Sequence, residues 1–161
     1  MQKITPFLWF DGQAEDAANF YTSVFKDSKI GRFFRHTEEA AEKTGHAVGS
    51  VLTIEFEIGG QKFVALNGGP LFKFNESVSF VINCESQTEV DYFWEKLTAD
   101  GGEESACGWL RDKFGLSWQI IPTVLIDMLH DGDQEKSGRV MQAMFETKKI
   151  DIKALKDAYE R

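Results

Sequence analysis

A chain of 161 residues, 42% hydrophobic and 13% aromatic, can close one compact domain or two small modules sharing a core. Its 26 Asp and Glu against 18 Lys and Arg give a net charge of −8, and no basic cluster offers the phosphate-neutralising face that nucleic acid requires. No apolar run reaches membrane-spanning length, the first ten residues lack a signal-peptide pattern, and two cysteines make no disulfide framework, so no membrane partner and a soluble cytoplasmic protein are expected.

In chain order, Ile4 to Phe10, bounded by Asp11-Gly12, reads as a strand with Ile4, Leu8 and Phe10 on one face and Thr5, Phe7 and Trp9 on the other. The period then changes. From Gln13 to Phe25 the residues Ala17, Phe20, Tyr21, Val24 and Phe25 recur at helical spacing, with Glu15 and Asp16 in the first turn where the helix dipole favours negative charge. Lys29 to His36 reads as a second strand, and Thr37 to Val48 as a polar, mobile loop. Gly49 to Ile58 and Gln61 to Asn67 flank Gly59-Gly60, a two-residue hairpin turn that permits positive φ at both centres. On its first strand Leu52, Ile54, Phe56 and Ile58 form an apolar face opposite Thr53, Glu55 and Glu57.

Glu76 to Cys84 is the next strand, with Val78, Phe80 and Ile82 on one side and Ser77, Ser79, Val81 and Asn83 on the other. Ser86-Gln87-Thr88-Glu89 is a capping box that starts a helix carrying Val90, Phe93, Trp94 and Leu97, ended by Gly101-Gly102. Trp109 to Arg111 and Leu116 to Ile121 form a hairpin around Asp112-Lys113-Phe114-Gly115, with Gly115 as its left-handed residue. There Leu116, Trp118 and Ile120 belong to a core, while Ser117, Gln119 and Ile121 suit the wall of a cavity. Thr123 to Leu129, Gln134 to Phe145 and Asp151 to Tyr159 are helical in pattern, with Val140, Met141, Met144 and Phe145 as one apolar stripe. Gln134 to Arg161 holds seven basic against five acidic residues, a +2 tail on a −10 remainder that could dock on an acidic body. The order of elements repeats itself: Ile4 to Phe10 and Val78 to Cys84 stand 74 positions apart, and the two helices nearly as much.

Ile4-Thr5-Pro6-Phe7-Leu8-Trp9-Phe10, Asn19-Phe20-Tyr21, Ala65-Leu66-Asn67-Gly68-Gly69-Pro70, Cys107-Gly108-Trp109-Leu110 and Gly115-Leu116-Ser117-Trp118-Gln119-Ile120 resemble the PhnB-like family, also described as the 3-demethylubiquinone-9 3-methyltransferase family. That family lies in the vicinal oxygen chelate, or glyoxalase/bleomycin resistance/dioxygenase, superfamily. The resemblance implies an α+β fold of two βαβββ modules whose sheets curl around a shared cavity, commonly completed as a homodimer. It implies a domain over residues 1–122, with modules 1–70 and 76–122, followed by a helical extension over 123–161.

Metal-dependent members of the superfamily carry His or Glu at four strand positions, and the resemblance places Thr5, Thr53, Ser79 and Gln119 there. Hydroxyls and one amide supply little charge to a divalent cation, so neither a catalytic metal nor another cofactor is expected. His36, His46 and His130 lack metal-ligand spacing and read as surface residues. No G-x-G-x-x-G follows a strand, which counts against methyl transfer by the usual nucleotide-type fold. Cys107 reads as a small, partly buried residue opening a strand, and Asn67-Gly68-Gly69 as a chain turn rather than an anion cradle.

What survives is a set of facing positions: Thr5, Phe7, Trp9, Thr53, Glu55, Ser79, Val81 and Gln119, with Trp109 near the rim. Two uses of these residues follow, beside the plain alternative of core or wetted sheet surface. In the first, they bind a small, partly apolar molecule without catalysis. In the second, Glu55 is a general base and Gln119 or Ser79 orients a substrate.

Overall fold

The computed structural model describes residues 2–161, and the chain divides into two compact units, one ending at Lys73 and the other running from Phe74 to Arg161. The first contains β1 (Phe7–Phe10), α1 (Ala14–Val24), β2 (Ser28–Arg35), α2 (Glu38–Thr44), β3 (Val51–Ile58) and β4 (Gln61–Asn67). Its sheet has the order β1-β4-β3-β2, with β1 parallel to β4 and the other pairs antiparallel. The second contains β5 (Ser79–Cys84), α3 (Gln87–Thr98), β6 (Glu103–Glu104), β7 (Trp109–Arg111) and β8 (Ser117–Pro122), then α4 (Thr123–Leu129), α5 (Gln134–Phe145) and α6 (Ile152–Glu160). Its sheet order, β5-β8-β7-β6 with β5 parallel to β8, reproduces the first. Each unit is therefore a βαβββ module, as the repeat predicts.

In the first unit the alternation of β3 buries Ile54, Phe56 and Ile58 against α1, whose Ala14, Ala17 and Ala18 are small enough to let helix and sheet approach closely. Tyr21 of α1 stacks on Phe56, with ring centroids 6.0 Å apart. Gln13 gives α1 no side-chain cap; instead the Asn67 side chain, at the end of β4, accepts from Ala14 N–H at 2.9 Å and donates to the Val51 carbonyl at 3.1 Å. Gly59 and Gly60 both have positive φ, 54° and 77°, as the two-residue hairpin turn demands.

Four sequence expectations change here. Thr37 to Val48 is not simply a loop, because α2 forms within it. The Thr37 hydroxyl caps α2 by accepting from Ala40 N–H, Glu38 and Glu39 occupy its first turn, and left-handed Gly45 ends it. Only Ala41 of this helix is buried, so no apolar stripe announces it. Strand β1 starts at Phe7, leaving Ile4 82% exposed, and β5 starts at Ser79, leaving Val78 outside the sheet and exposed. His36 is buried at 3% exposure, not a surface residue, because the turn from β2 into α2 folds back on Ser50, whose hydroxyl lies 3.1 Å from His36 Nδ1. His46 and His130 are exposed as expected.

In the second unit α3 lays Val90, Trp94 and Leu97 on the sheet. The Ser86 hydroxyl accepts from Glu89 N–H as in a capping box, but the Glu89 carboxylate reaches one residue further back, to Glu85 N–H at 2.6 Å. Asp112, 2% exposed, organises the β7–β8 turn: its carboxylate accepts from Phe114 N–H, Leu116 N–H and the Trp118 indole, and Gly115 adopts φ 93°. The C-terminal helices share one core with β8, in which Ile121, Leu125, Met128, Val140, Ile150 and Leu155 pack together. Of the expected α5 stripe, Val140 is fully buried and Met144 half-buried; Met141 and Phe145 point to solvent, because the buried face of α5 turns toward Ala143 instead. The Arg139 guanidinium donates to the carbonyls of Ala158 and Tyr159 and so ties α5 to the end of α6.

Candidate functional site

The sheet face of the first unit that turns away from α1 carries three rows of side chains across the strands. Pairing register aligns Phe7 with Val64 and Glu55, Trp9 with Leu66, Thr53 and Phe34, and Lys62 with Glu57 and Lys29. Between Ile30, opposite Phe56, and Phe33, opposite Ile54, two residues of β2 face the single residue Glu55. That is a β-bulge, and it re-aims the strand's side chains. A Cβ on Gly31 would lie 3.1 Å from both the Glu55 Cβ and its carbonyl oxygen, so glycine at residue 31 eases the close approach of the bulge to β3.

The bulge brings Arg32 onto Glu55. Arg32 Nε and Nη2 donate to the two carboxylate oxygens at 2.8 and 2.6 Å, a bidentate pair. Hydrogen bonding from Arg32 holds the Glu55 carboxyl below its ordinary value, although burial pulls the other way. Beside it Lys29 and Glu57 pair at 3.5 Å. Thr5, Phe7, Lys29, Arg32, Glu55, Glu57 and Lys62 line a groove of about 540 Å³. Phe7 is 60% exposed in this groove and presents an aromatic wall.

Of the residues singled out from sequence, the structure brings Thr5, Phe7 and Glu55 together. Trp9 lies in the next row and is held there by the chain that follows β4: its indole donates to the Gly69 carbonyl at 2.9 Å, and its ring packs edge-on to Phe72. A Cβ on Gly68 would come within 2.4 Å of that ring, so the glycines after Asn67 serve as the seat of Trp9. Thr53, half-buried, shares this row.

In the second unit Trp109, Gln119 and Val81 form one row across β7, β8 and β5, and the Gln119 amide donates to the Ser79 hydroxyl at 2.9 Å. Trp109 also borders a smaller hollow of about 150 Å³ with Ser117, Arg111, Glu76, Glu103 and Glu104, where Arg111 pairs with Glu103. Of the four residues that the resemblance assigns to the superfamily's metal positions, Thr5 and Thr53 lie in one unit and Ser79 and Gln119 in the other, where Gln119 donates to Ser79. Among the described residues no group of three or more His, Cys, Asp or Glu could hold a metal ion. This donor set does not fit a divalent cation. Burial pushes the Cys84 thiol up to about 12, the opposite of an activated nucleophile; Cys107 is half-buried, and its backbone N–H donates to the Thr147 carbonyl.

Sequence reasoning missed Arg32. The signal was present in Gly31-Arg32, since a glycine inside a strand pattern marks a bulge, and a bulge opposite Glu55 was the way to bring a cation there.

The sequence pattern of the 3-demethylubiquinone-9 3-methyltransferase family matches residues 2–121, ending just before α4. A PhnB protein from Bacillus cereus, described by that same methyltransferase name, is 35% identical, with a TM-score of 0.66 over 75% of this chain and 99% of that one. A Pseudomonas aeruginosa protein shares the fold at 18% identity and a TM-score of 0.60, covering 76% of this chain and 98% of its own. So does the fosfomycin resistance protein FosX of Listeria monocytogenes, at 13% identity and a TM-score of 0.56, covering 81% and 98%. No curated protein matches the chain.

Proposed function

The chain belongs to the 3-demethylubiquinone-9 3-methyltransferase family, PhnB-like proteins of the glyoxalase/bleomycin resistance superfamily, and we propose that it binds a small, partly apolar molecule in the groove of its first unit without a metal. The groove is of ligand size, and it combines one exposed aromatic wall with a few hydroxyl and charged groups, the mixture by which small-molecule sites fix orientation. The observation that carries the choice of binding over catalysis is the bidentate Arg32–Glu55 pair. A general base works best with a pKa near the operating pH, whereas Glu55 is held low and both its oxygens are occupied. On the second unit, taken by itself, Ser79, Trp109 and Gln119 are proposed as ligand contacts of their own, since one Gln119 N–H and its carbonyl remain after the bond to Ser79. A cytoplasmic homodimer completes it. The family resemblance supports the dimer, the two free thiols of Cys84 and Cys107 support a reducing compartment, and light scattering of the full chain should give about twice 18.3 kDa.

Thermal-shift screening of the full chain against small molecules tests the groove. A ligand of this site stabilises the wild type, loses its effect in Phe7→Ala and keeps it in Glu55→Gln. A shift that survives Phe7→Ala moves the site elsewhere. Turnover of the ligand that vanishes in Glu55→Gln makes the groove an active site with Glu55 as base.

A further inference from the structure

The charges of the groove do not cancel, and the remainder specifies a ligand class. Three cations, Lys29, Arg32 and Lys62, line it beside two carboxylates, Glu55 and Glu57. Glu55 is taken by Arg32 and Glu57 by Lys29, which leaves the Lys62 ammonium with no ion pair among the described residues. Its backbone is nevertheless fixed: the Gln2 side chain accepts from Lys62 N–H at 3.2 Å and donates to the Lys62 carbonyl at 3.1 Å. Lys62 is close enough to Glu55 to help hold that carboxyl low, so the Lys62 ammonium and the Arg32–Glu55 pair share one neighbourhood. Arg32 itself has donors to spare, because a guanidinium carries five N–H groups and Glu55 engages only Nε and Nη2. A chain of net charge −8 thus contains one groove with a cation in excess. Phe7, 60% exposed, supplies an apolar surface beside it.

We infer that the ligand is an amphiphilic monoanion: an acid with an aromatic or aliphatic body, which rests on Phe7 while its carboxylate takes the Lys62 ammonium and the remaining donors of Arg32. A neutral molecule gains no charge-assisted contact from the Lys62 ammonium, which water otherwise solvates, and a cation is repelled by it. The inference rests on the groove being the binding site, and one titration series separates the two claims. Three probes with the same phenylalkyl body are used on the full chain: 3-phenylpropionate, its isostere 3-phenylpropanamide, and 3-phenylpropylamine, each followed by two-dimensional amide NMR.

The carboxylate is expected to shift the resonances around Phe7, Arg32 and Lys62, and to bind about tenfold more tightly than the amide or the amine, the gain expected of one charge-assisted hydrogen-bond set. Lys62→Met should remove most of that preference while leaving the amide's affinity within about twofold; high salt should narrow the gap in the wild type as well. Equal or tighter binding of the amide or amine in the groove overturns the charge inference and leaves the groove reading intact. A carboxylate preference that survives Lys62→Met also overturns it. If none of the probes touches the groove resonances, the charge inference and the groove reading fail together.

Discussion

The two units are built on one plan and differ at one strand. Leu8 and Phe10 are buried at the end of β1 where Ile82 and Cys84 are buried at the end of β5, and the sheet orders coincide. By that register Phe7, Val64 and Glu55 hold the places that Val81, Gln119 and Trp109 hold in the second sheet. The strand that completes the row is not equivalent. β2 runs for eight residues and carries the bulge that delivers Arg32 to Glu55, whereas β6 has two residues and pairs no further along β7 than Leu110 and Arg111. A charged groove therefore exists where the edge strand is long, and an aromatic–amide row where it is short. The second unit compensates at its other end, where α4, α5 and α6 add a core that the first unit lacks. One module has put its added residues into a charged groove and the other into packing.

If that division holds, substitutions in the second unit should cost stability, and those in the groove should cost binding. Asp112→Ala is expected to have the largest effect, because it strands two backbone N–H groups and the Trp118 indole without an acceptor. At about 1–3 kcal/mol for each buried donor left unpaired, partly recovered by water, a loss of roughly 3–5 kcal/mol should appear in urea unfolding. Leu155→Ala follows. It opens a cavity among Ile121, Leu125 and Val140, and the expected loss of about 3 kcal/mol would show the terminal helices to be part of the second core; a loss under about 1 kcal/mol would show them to be peripheral. Phe7→Ala, exposed in the groove, should change stability by less than about 0.5 kcal/mol.

Gly68→Ala tests the first unit's own packing. Its Cβ would meet the Trp9 ring at 2.4 Å, so the indole must move and its bond to the Gly69 carbonyl must weaken, for an expected loss of roughly 1–3 kcal/mol and a shifted Trp fluorescence maximum. An unchanged spectrum would mean that Trp9 is not seated there, and would return it to the ligand-binding positions suggested by its place in the strand.

The parts of this molecule legible in the sequence are those that local chemistry dictates. Gly59-Gly60 and Gly115 mark their turns because only positive φ closes them, and the three terminal helices announce themselves by spacing, two of them also by the capping residues Asp133 and Asp151. The illegible parts depend on partners distant in the chain. α2 buries a single alanine, so its pattern carries no periodicity, and His36 becomes buried only because Ser50 returns to it. Asn67 caps α1 from 53 residues away, a bond no window of sequence displays. At the groove, Glu55 was identifiable as an acid on a polar face beside Glu57, but its state was not. A bulge in one strand supplies the arginine that turns a candidate base into half of an ion pair.

That pair gives the smallest effect, and one that can be read against pH. Arg32 depresses the Glu55 carboxyl in the folded protein below its ordinary value of 4.5, so the folded state binds that proton less readily than the unfolded chain does. The stabilisation is therefore complete above the unfolded value and is lost as pH falls through the lower folded one. Both side chains are substantially exposed, 86% for Arg32 and 41% for Glu55, so solvent screens the pair and the effect is a small one. The difference in unfolding midpoint between wild type and Glu55→Gln, measured from neutral pH downward, should be flat above about pH 5 and shrink below it. Arg32→Gln should remove most of that pH dependence, since the Arg32 hydrogen bonds are the largest cause of the lowered Glu55 carboxyl. A Glu55 difference that grows on acidification would mean that the carboxyl is raised rather than lowered in the fold, which is the condition a base in this groove would need.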